Sequence, residues 1–305
     1  MKRILSMVMM IVITVTSFGF CSYNSNSVVS ADTVSWPSGP GLVAETAVMI
    51  DASTGSVLFD KKCHQKMYPA SITKIMTALL TIENCNLDDT VTFSQSAIDT
   101  LEPEAANIGA VVGEEMSVKD CLYALMLQSA NEVASALAEH VSGSIEEFAK
   151  LMNKRAKQAG ANDAHFANAC GLFNKKHYVT AYDMAKIMQA ALQYPVFREI
   201  INSSSYTLPT DNKRKEPLTI SQRHQMVQPW NSFHYDGIIG GKTGFVNESG
   251  TTLVTSAQRD GMTLITVVLN SPGTNSYVDT TALLDFGFKN FKLTNVSEND
   301  VDLFS

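Results

Sequence analysis

The sequence is poor in several things that would point to other classes of protein. It has no excess of cations: 23 Lys and Arg stand against 30 Asp and Glu, a net charge of −7, which argues against nucleic acid as a partner. Beyond the first twenty residues no apolar run is long enough to cross a bilayer. Cysteine is scarce, five in 305 residues, and none forms a C-x-x-C pair; Cys63, Cys85, Cys121 and Cys170 are read as free thiols rather than as disulfides or a metal site. The six histidines are scattered without ligand spacing, so no metal is expected. Internal repeats and low-complexity tracts are absent. What remains is 45% hydrophobic and ample for a buried core in one or two domains.

The beginning of the chain reads as a signal peptide over residues 1–31. Lys2 and Arg3 supply the positive start, Ile4 to Phe20 the apolar region, and Val29-Ser30-Ala31 a small-residue cleavage site. Ser6, Thr14, Thr16 and Ser17 interrupt the apolar region, which makes it short for a retained anchor. Cys21 is a poor lipidation site after Phe20. Cleavage would remove Lys2 and Arg3 and no acid, taking the charge from −7 to −9. The expectation is an exported, extracytoplasmic, wall-associated protein with no retained membrane anchor.

Ala47 to Ile50 and Ser56 to Phe59 flank Asp51-Ala52-Ser53-Thr54-Gly55, the pattern of a β-hairpin with a glycine turn. From Ser71 to about Tyr194 the apolar spacing is helical, notably over 118–127, 132–140, 145–157 and 184–192. Thr180 and Asp183 have the spacing of a capping box. After residue 204 the period becomes two, predicting strands near 206–208, 237–243, 252–257 and 263–269, then a helix over 277–286. Strands at both ends with helices between them predict an α/β (α+β) fold. In it an antiparallel sheet is built from both chain ends and flanked by helices, and an all-helical insert occupies about 75–195. The domain should span 32–290, followed by a polar tail, 291–305.

Three short segments carry candidate chemistry. Pro69 disfavours helix in the residue before it, and Ile75, Met76, Leu79 and Leu80 recur at helical spacing, so a helix should begin near Ser71. Residues i and i+3 share a helix face, which brings the Ser71 hydroxyl to the Lys74 amine beside unpaired N–H groups of the first turn. A Ser-x-x-Lys is common by chance, and read alone Ser71 is an N-cap and Lys74 a solvated lysine. Ser129-Ala130-Asn131 sits at a break between two helices; alone, Ser129 is an ordinary N-cap. Gly240-Gly241-Lys242-Thr243-Gly244-Phe245 is a strand bounded by glycines, where a ligand or backbone can approach closely, or a plain edge-strand lysine.

In this order and at this spacing, the three segments resemble the motif set of penicillin-binding proteins and serine β-lactamases. More narrowly the chain resembles the low-molecular-weight D-alanyl-D-alanine carboxypeptidases through nearly its whole mature length, from the hairpin with Asp51 and Gly55 onward. Pro69 to Thr77, Ser129 to Glu132, Met152-Asn153, Gly171-Leu172, His177 with Thr180 and Asp183, His224 with Met226, and Asp236-Gly237 carry the match. The resemblance implies a β-lactamase/transpeptidase-like fold and an acyl-enzyme reaction on peptidoglycan stem peptides ending in D-Ala-D-Ala, with β-lactams as covalent inhibitors and no cofactor. It implies Ser71 as nucleophile, Lys74 as its base and Ser129 as proton carrier. Asn131 would bind the substrate backbone, Lys242, Thr243 and Gly244 its terminal carboxylate region, and the N–H groups of Ser71 and Phe245 would form the oxyanion hole. Lys74 must be neutral to act as base, and burial together with Lys242 is expected to keep it so.

Two departures stand out. Phe245 and Val246 follow Lys-Thr-Gly where relatives often have an aromatic residue or His and then Thr, which leaves one side-chain contact to the substrate in doubt. The chain also stops near where many relatives continue into a β-rich domain and a membrane helix. Residues 161–180 contain no glutamate, unlike class A β-lactamases. A D,D-endopeptidase would use the same residues. A non-catalytic binder of peptidoglycan or penicillin would not need both lysines. His177 and His224 are read as structural.

Overall fold

The computed structural model describes residues 36–294, so the expected signal peptide and most of the polar tail lie outside the described residues. The chain begins with the expected hairpin, β1 (Thr46–Asp51) and β2 (Val57–Lys61), then a 3-10 turn (Ala70–Thr73) leading into α1 (Lys74–Asn84). There follow β3 (Thr90–Thr92), α2 (Gln95–Asp99), β4 (Glu115–Ser117), α3 (Val118–Tyr123), a π turn (Ala124–Gln128), α4 (Asn131–Ser142) and α5 (Ile145–Gln158). The last part holds α6 (Ala181–Ala191), α7 (Pro195–Asn202), β5 (Ser205–Leu208), β6 (Leu218–Ser221), β7 (Ile238–Val246), β8 (Gly250–Arg259), β9 (Met262–Ser271) and α8 (Asn275–Asn290).

The main sheet has the order β2-β1-β9-β8-β7 and is antiparallel throughout. β1 pairs with β9, Thr46 opposite Leu269 and Asp51 opposite Leu264, so the two ends of the domain close the sheet as expected. Side chains alternate between its faces. On β1 and β9, Val48, Ile50, Ile265, Val267 and Leu269 join the core shared with α1, α4 and α6, while Ala47, Met49, Leu264 and Val268 pack in a second core with Leu283, Leu284 and Phe286 of α8. Both faces are covered, which is why β9 reads as a continuous apolar run although the sheet is antiparallel. The close approach of α8 needs Gly287, since a Cβ there would lie 2.4 Å from Leu264 Cδ1 and 2.7 Å from Met49 Sδ.

Three local details differ from the sequence expectation. The insert is not entirely helical, because β3 and β4 pair as a small ladder; at three residues each, Thr90–Thr92 and Glu115–Ser117 are too short to show a period. The helix expected over 118–127 changes to a π turn at Ala124. The one expected at Ser71 begins as a 3-10 turn, with the α-helix proper starting at Lys74. The Thr180–Asp183 capping box is present in full: Asp183 N–H donates to Thr180 Oγ1 and Thr180 N–H to Asp183 Oδ2, each at 3.0 Å.

Candidate active site

Ser71 lies in the 3-10 turn, reached through Ala70 in a left-handed conformation, φ 52°. Gly171 makes room for this turn: a Cβ on it would sit 1.9 Å from the Ala70 carbonyl oxygen, and its own φ is 91°. From the other side, Gly244 of β7 packs so closely that a Cβ would lie 2.8 Å from Ser71 N and 3.0 Å from Pro69 O. Thr252 Oγ1 donates to the Pro69 carbonyl at 2.8 Å, locking the turn against β8. The serine is therefore held between two glycines that no larger residue could replace without moving it.

Lys74 is fully buried one turn on. Its Nζ donates to Ser71 Oγ at 3.0 Å, to Asn131 Oδ1 at 2.5 Å and to the Cys170 carbonyl at 2.6 Å, which satisfies an ammonium or orients an amine. Burial pulls its pKa down to about 8; Cys170 and Glu132 oppose that shift and Arg223 adds to it. Lys242 is also buried, and its Nζ donates to the Thr243 carbonyl at 2.9 Å. Burial first, then the charges of Lys74 and Arg223, hold Lys242 well below the lysine range. Both lysines are thus drawn down first by desolvation, and repulsion between them opposes a double charge.

Ser129 ends the π turn with φ 65° and ψ 29°, a left-handed conformation uncommon for serine. It is not the N-cap of α4, which begins one residue after Ala130. Strain of this kind, about 1–3 kcal/mol for a non-glycine residue, gathers at functional sites. Asn131, the first residue of α4, turns its carbonyl oxygen to Lys74, and its N–H donates to the Ala106 carbonyl at 2.8 Å. Glu132, fully buried, accepts from Ile108 N at 2.7 Å. These two bonds tie the 102–110 loop to the Ser-x-Asn segment.

A cleft of about 680 Å³ opens over these groups, lined by Ser71, Ser129, Asn131, Thr243, Gly244 and Phe245 among others. Lys242 is not among its lining residues. On β7, Thr243 is half-buried and lines the cleft, while Lys242 beside it is buried. β7 is the outer strand of its sheet, but its lysine is no solvated edge lysine. Phe245, 65% exposed, and Phe173, 40% exposed, give the cleft an aromatic rim.

Sequence reasoning missed three contributors. Arg223 is the one Lys or Arg among the lining residues, and its guanidinium forms no ion pair among the described residues. Glu102 and Glu104 bring acids to the opposite lip through a loop with no motif. The two histidines behave as structural groups. His177 Nδ1 accepts from Ala167 N at 3.4 Å, so Nε2–H faces Thr73 Oγ1 at 3.0 Å. Burial first, then His165 and Lys74, lowers its pKa to about 3. His224, bonded to Thr255 Oγ1 at 2.8 Å, is pushed to about 3 by burial and by Lys242.

Known proteins resemble this chain over most of its length. A family model described as D-alanyl-D-alanine carboxypeptidase matches residues 33–273. D-alanyl-D-alanine carboxypeptidase DacF of Bacillus subtilis is 35% identical over 254 residues, 82% of this chain and 63% of that protein's length. A D-alanyl-D-alanine carboxypeptidase of a Streptomyces species is 32% identical, over 82% of this chain and 88% of the relative. The crystal structure of a Streptomyces DD-transpeptidase superposes with a TM-score of 0.77 at 28% identity, covering 83% of this chain and all of that one. A chain matched by the family model over most of its length, and carrying the three motifs around one cleft, belongs to the D-alanyl-D-alanine carboxypeptidase family.

Proposed function

We propose that this protein is a serine D-alanyl-D-alanine carboxypeptidase that removes the terminal D-Ala of peptidoglycan stem peptides through an acyl-enzyme on Ser71. The observation that carries the reading is the contact of a fully buried Lys74 Nζ with Ser71 Oγ at 3.0 Å, in a cleft whose lining includes a serine, an asparagine and a cation. Neutral Lys74 takes the Ser71 proton as Oγ attacks the penultimate carbonyl. The oxyanion is met by the backbone N–H groups of Ser71 and Phe245, donors fixed before charge develops. Ser129 passes the proton to the leaving D-alanine nitrogen, Asn131 holds the substrate backbone and Lys74, and water then releases the shortened peptide.

The terminal carboxylate is bound by the Thr243 hydroxyl and, in this proposal, by Arg223, with Lys242 beside Thr243 supplying positive field after protonation. Arg223→Gln should raise KM for a D-Ala-D-Ala peptide roughly tenfold and leave kcat within about threefold, as expected for one charge-assisted contact shared by ground and transition states. An unchanged KM in steady-state kinetics would remove Arg223 from the site.

The base also sets a pH dependence. Lys74 serves only when neutral, so the second-order rate of acylation by a penicillin should rise about tenfold per pH unit below pH 8 and level off above it. A flat profile from pH 6 to 9, read by stopped-flow labelling, would assign the base elsewhere. We propose export as well, on the pattern of Lys2, Arg3 and the apolar residues after them; no helix among the described residues is long and apolar enough to cross a membrane.

The deciding experiment incubates the protein with a D-Ala-D-Ala peptide and with a labelled penicillin. Released D-alanine together with an adduct mapped to the Ser71 peptide is the expected result. Adduct without D-alanine release would leave a penicillin-binding protein with another acceptor or none. Rapid turnover of the penicillin would make it a β-lactamase.

A further inference from the structure

Away from the cleft, three side chains from two distant segments of the sequence converge. Cys85, Asp89 and His140 each offer one ligand atom, all within 4.8 Å of one another. Neither the Cys85 thiol nor the His140 ring has a hydrogen-bond partner among the described residues. Asp89 is already oriented: Asn86 N–H donates to its Oδ2 at 2.8 Å, the kind of outer contact that fixes a metal-ligating carboxylate.

We propose that Cys85, Asp89 and His140 form a binding site for a borderline divalent cation of the zinc class, with water in the fourth position. Thiolate, imidazole and carboxylate together are the donor set that zinc takes. Bond lengths of about 2.0–2.3 Å in a tetrahedron put donor atoms roughly 3.3–3.6 Å apart, so the three must close by about 1 Å. The exposed His140 ring and half-buried Cys85 have the side-chain freedom to do so.

The backbone favours a cation at the same point. Cys85 is the C-cap of α1, and His140 lies in the last turn of α4, so two helix C-termini, the negative ends of their dipoles, lie beside the cluster. The two helices also meet at their other ends, where Lys74 at the start of α1 donates to Asn131 at the start of α4. They therefore run parallel, from the Ser71 cleft to the Cys85 cluster about 16 Å along the axis. A bound cation would clip together the far ends of the two helices that carry Lys74 and Asn131.

Cobalt(II) is the probe, because thiolate ligation gives it a near-ultraviolet charge-transfer band. Cys63, Cys121 and Cys170 are buried, which leaves Cys85 as the accessible thiol among the described residues, and loss of the band in Cys85→Ser makes the assignment. One equivalent of cobalt should produce the band in the full-length protein, and zinc should abolish it by displacement. Zinc at a hundredfold excess over Kd should raise Tm by roughly 5 °C or more. Cys85→Ser should lose the band, and His140→Ala, at an exposed position that should fold normally, should weaken zinc binding at least tenfold. The proposal fails if cobalt gives no band, if Cys85→Ser keeps it, or if His140→Ala binds zinc as the native protein does.

Discussion

Ser71→Ala should lower D-alanine release by on the order of 10⁴-fold or more and eliminate the penicillin adduct, with Tm within about 2 °C of native. The size of the loss follows from removing the atom that forms the covalent intermediate; no other group can take its place, and losses of 10⁴–10⁶ are typical for such nucleophiles. The small effect on stability follows from the local packing. Ser71 is only half-buried, and its hydroxyl contacts the Lys74 amine, which keeps Asn131 Oδ1 and the Cys170 carbonyl as acceptors. The turn is held by Gly171, Gly244 and Thr252 through the backbone, which alanine preserves. Mass spectrometry of the penicillin-treated variant and a coupled D-alanine assay check both parts. A persisting adduct would place the nucleophile elsewhere.

Lys74→Met should reduce acylation by roughly 10³-fold or more while changing Tm by only a few degrees in either direction. Methionine has nearly the shape of the lysine stem but offers no base, so Ser71 would keep its proton at neutral pH. Two terms in stability oppose each other. Burying an amine whose pKa is drawn down to about 8 is unfavourable, and methionine relieves that. The substitution also leaves Asn131 Oδ1 and the Cys170 carbonyl without their donor, at about 1–3 kcal/mol for each orphaned group. Their near-cancellation separates a loss of chemistry from a loss of folding. Acylation within tenfold of native, in a variant with native Tm, would remove Lys74 from the role of base.

The Ser71–Lys74 contact was legible because it is local: proline sets the turn, and spacing of three on a helix does the rest. The sheet was legible because Val48 and Ile50, then Ile265 to Leu269, carry enough apolar residues to mark strands at both ends of the domain. What the sequence hides is whatever depends on distant segments meeting. Arg223 stands between Gln222 and His224 in no recognisable pattern, and only the path of the chain after β6 brings it to the cleft. Cys85 and His140 become neighbours because α1 and α4 run side by side, which no ligand spacing reveals. Ser129 hides its left-handed backbone because serine has no special claim to that conformation, as glycine would. The burial of Lys242 is a tertiary effect too.

The pairing of Thr46 with Leu269 has a kinetic consequence. The first strand of the sheet leaves the ribosome long before the strand that completes it, so the central β1–β9 ladder closes over nearly the whole domain, a non-local contact of the kind that slows folding. Ser71 cannot meet Thr243 until that ladder and β7 are in place. Reactivity toward penicillin should then be the last property a refolding molecule acquires, and labelling during refolding would count finished molecules and ignore compact intermediates.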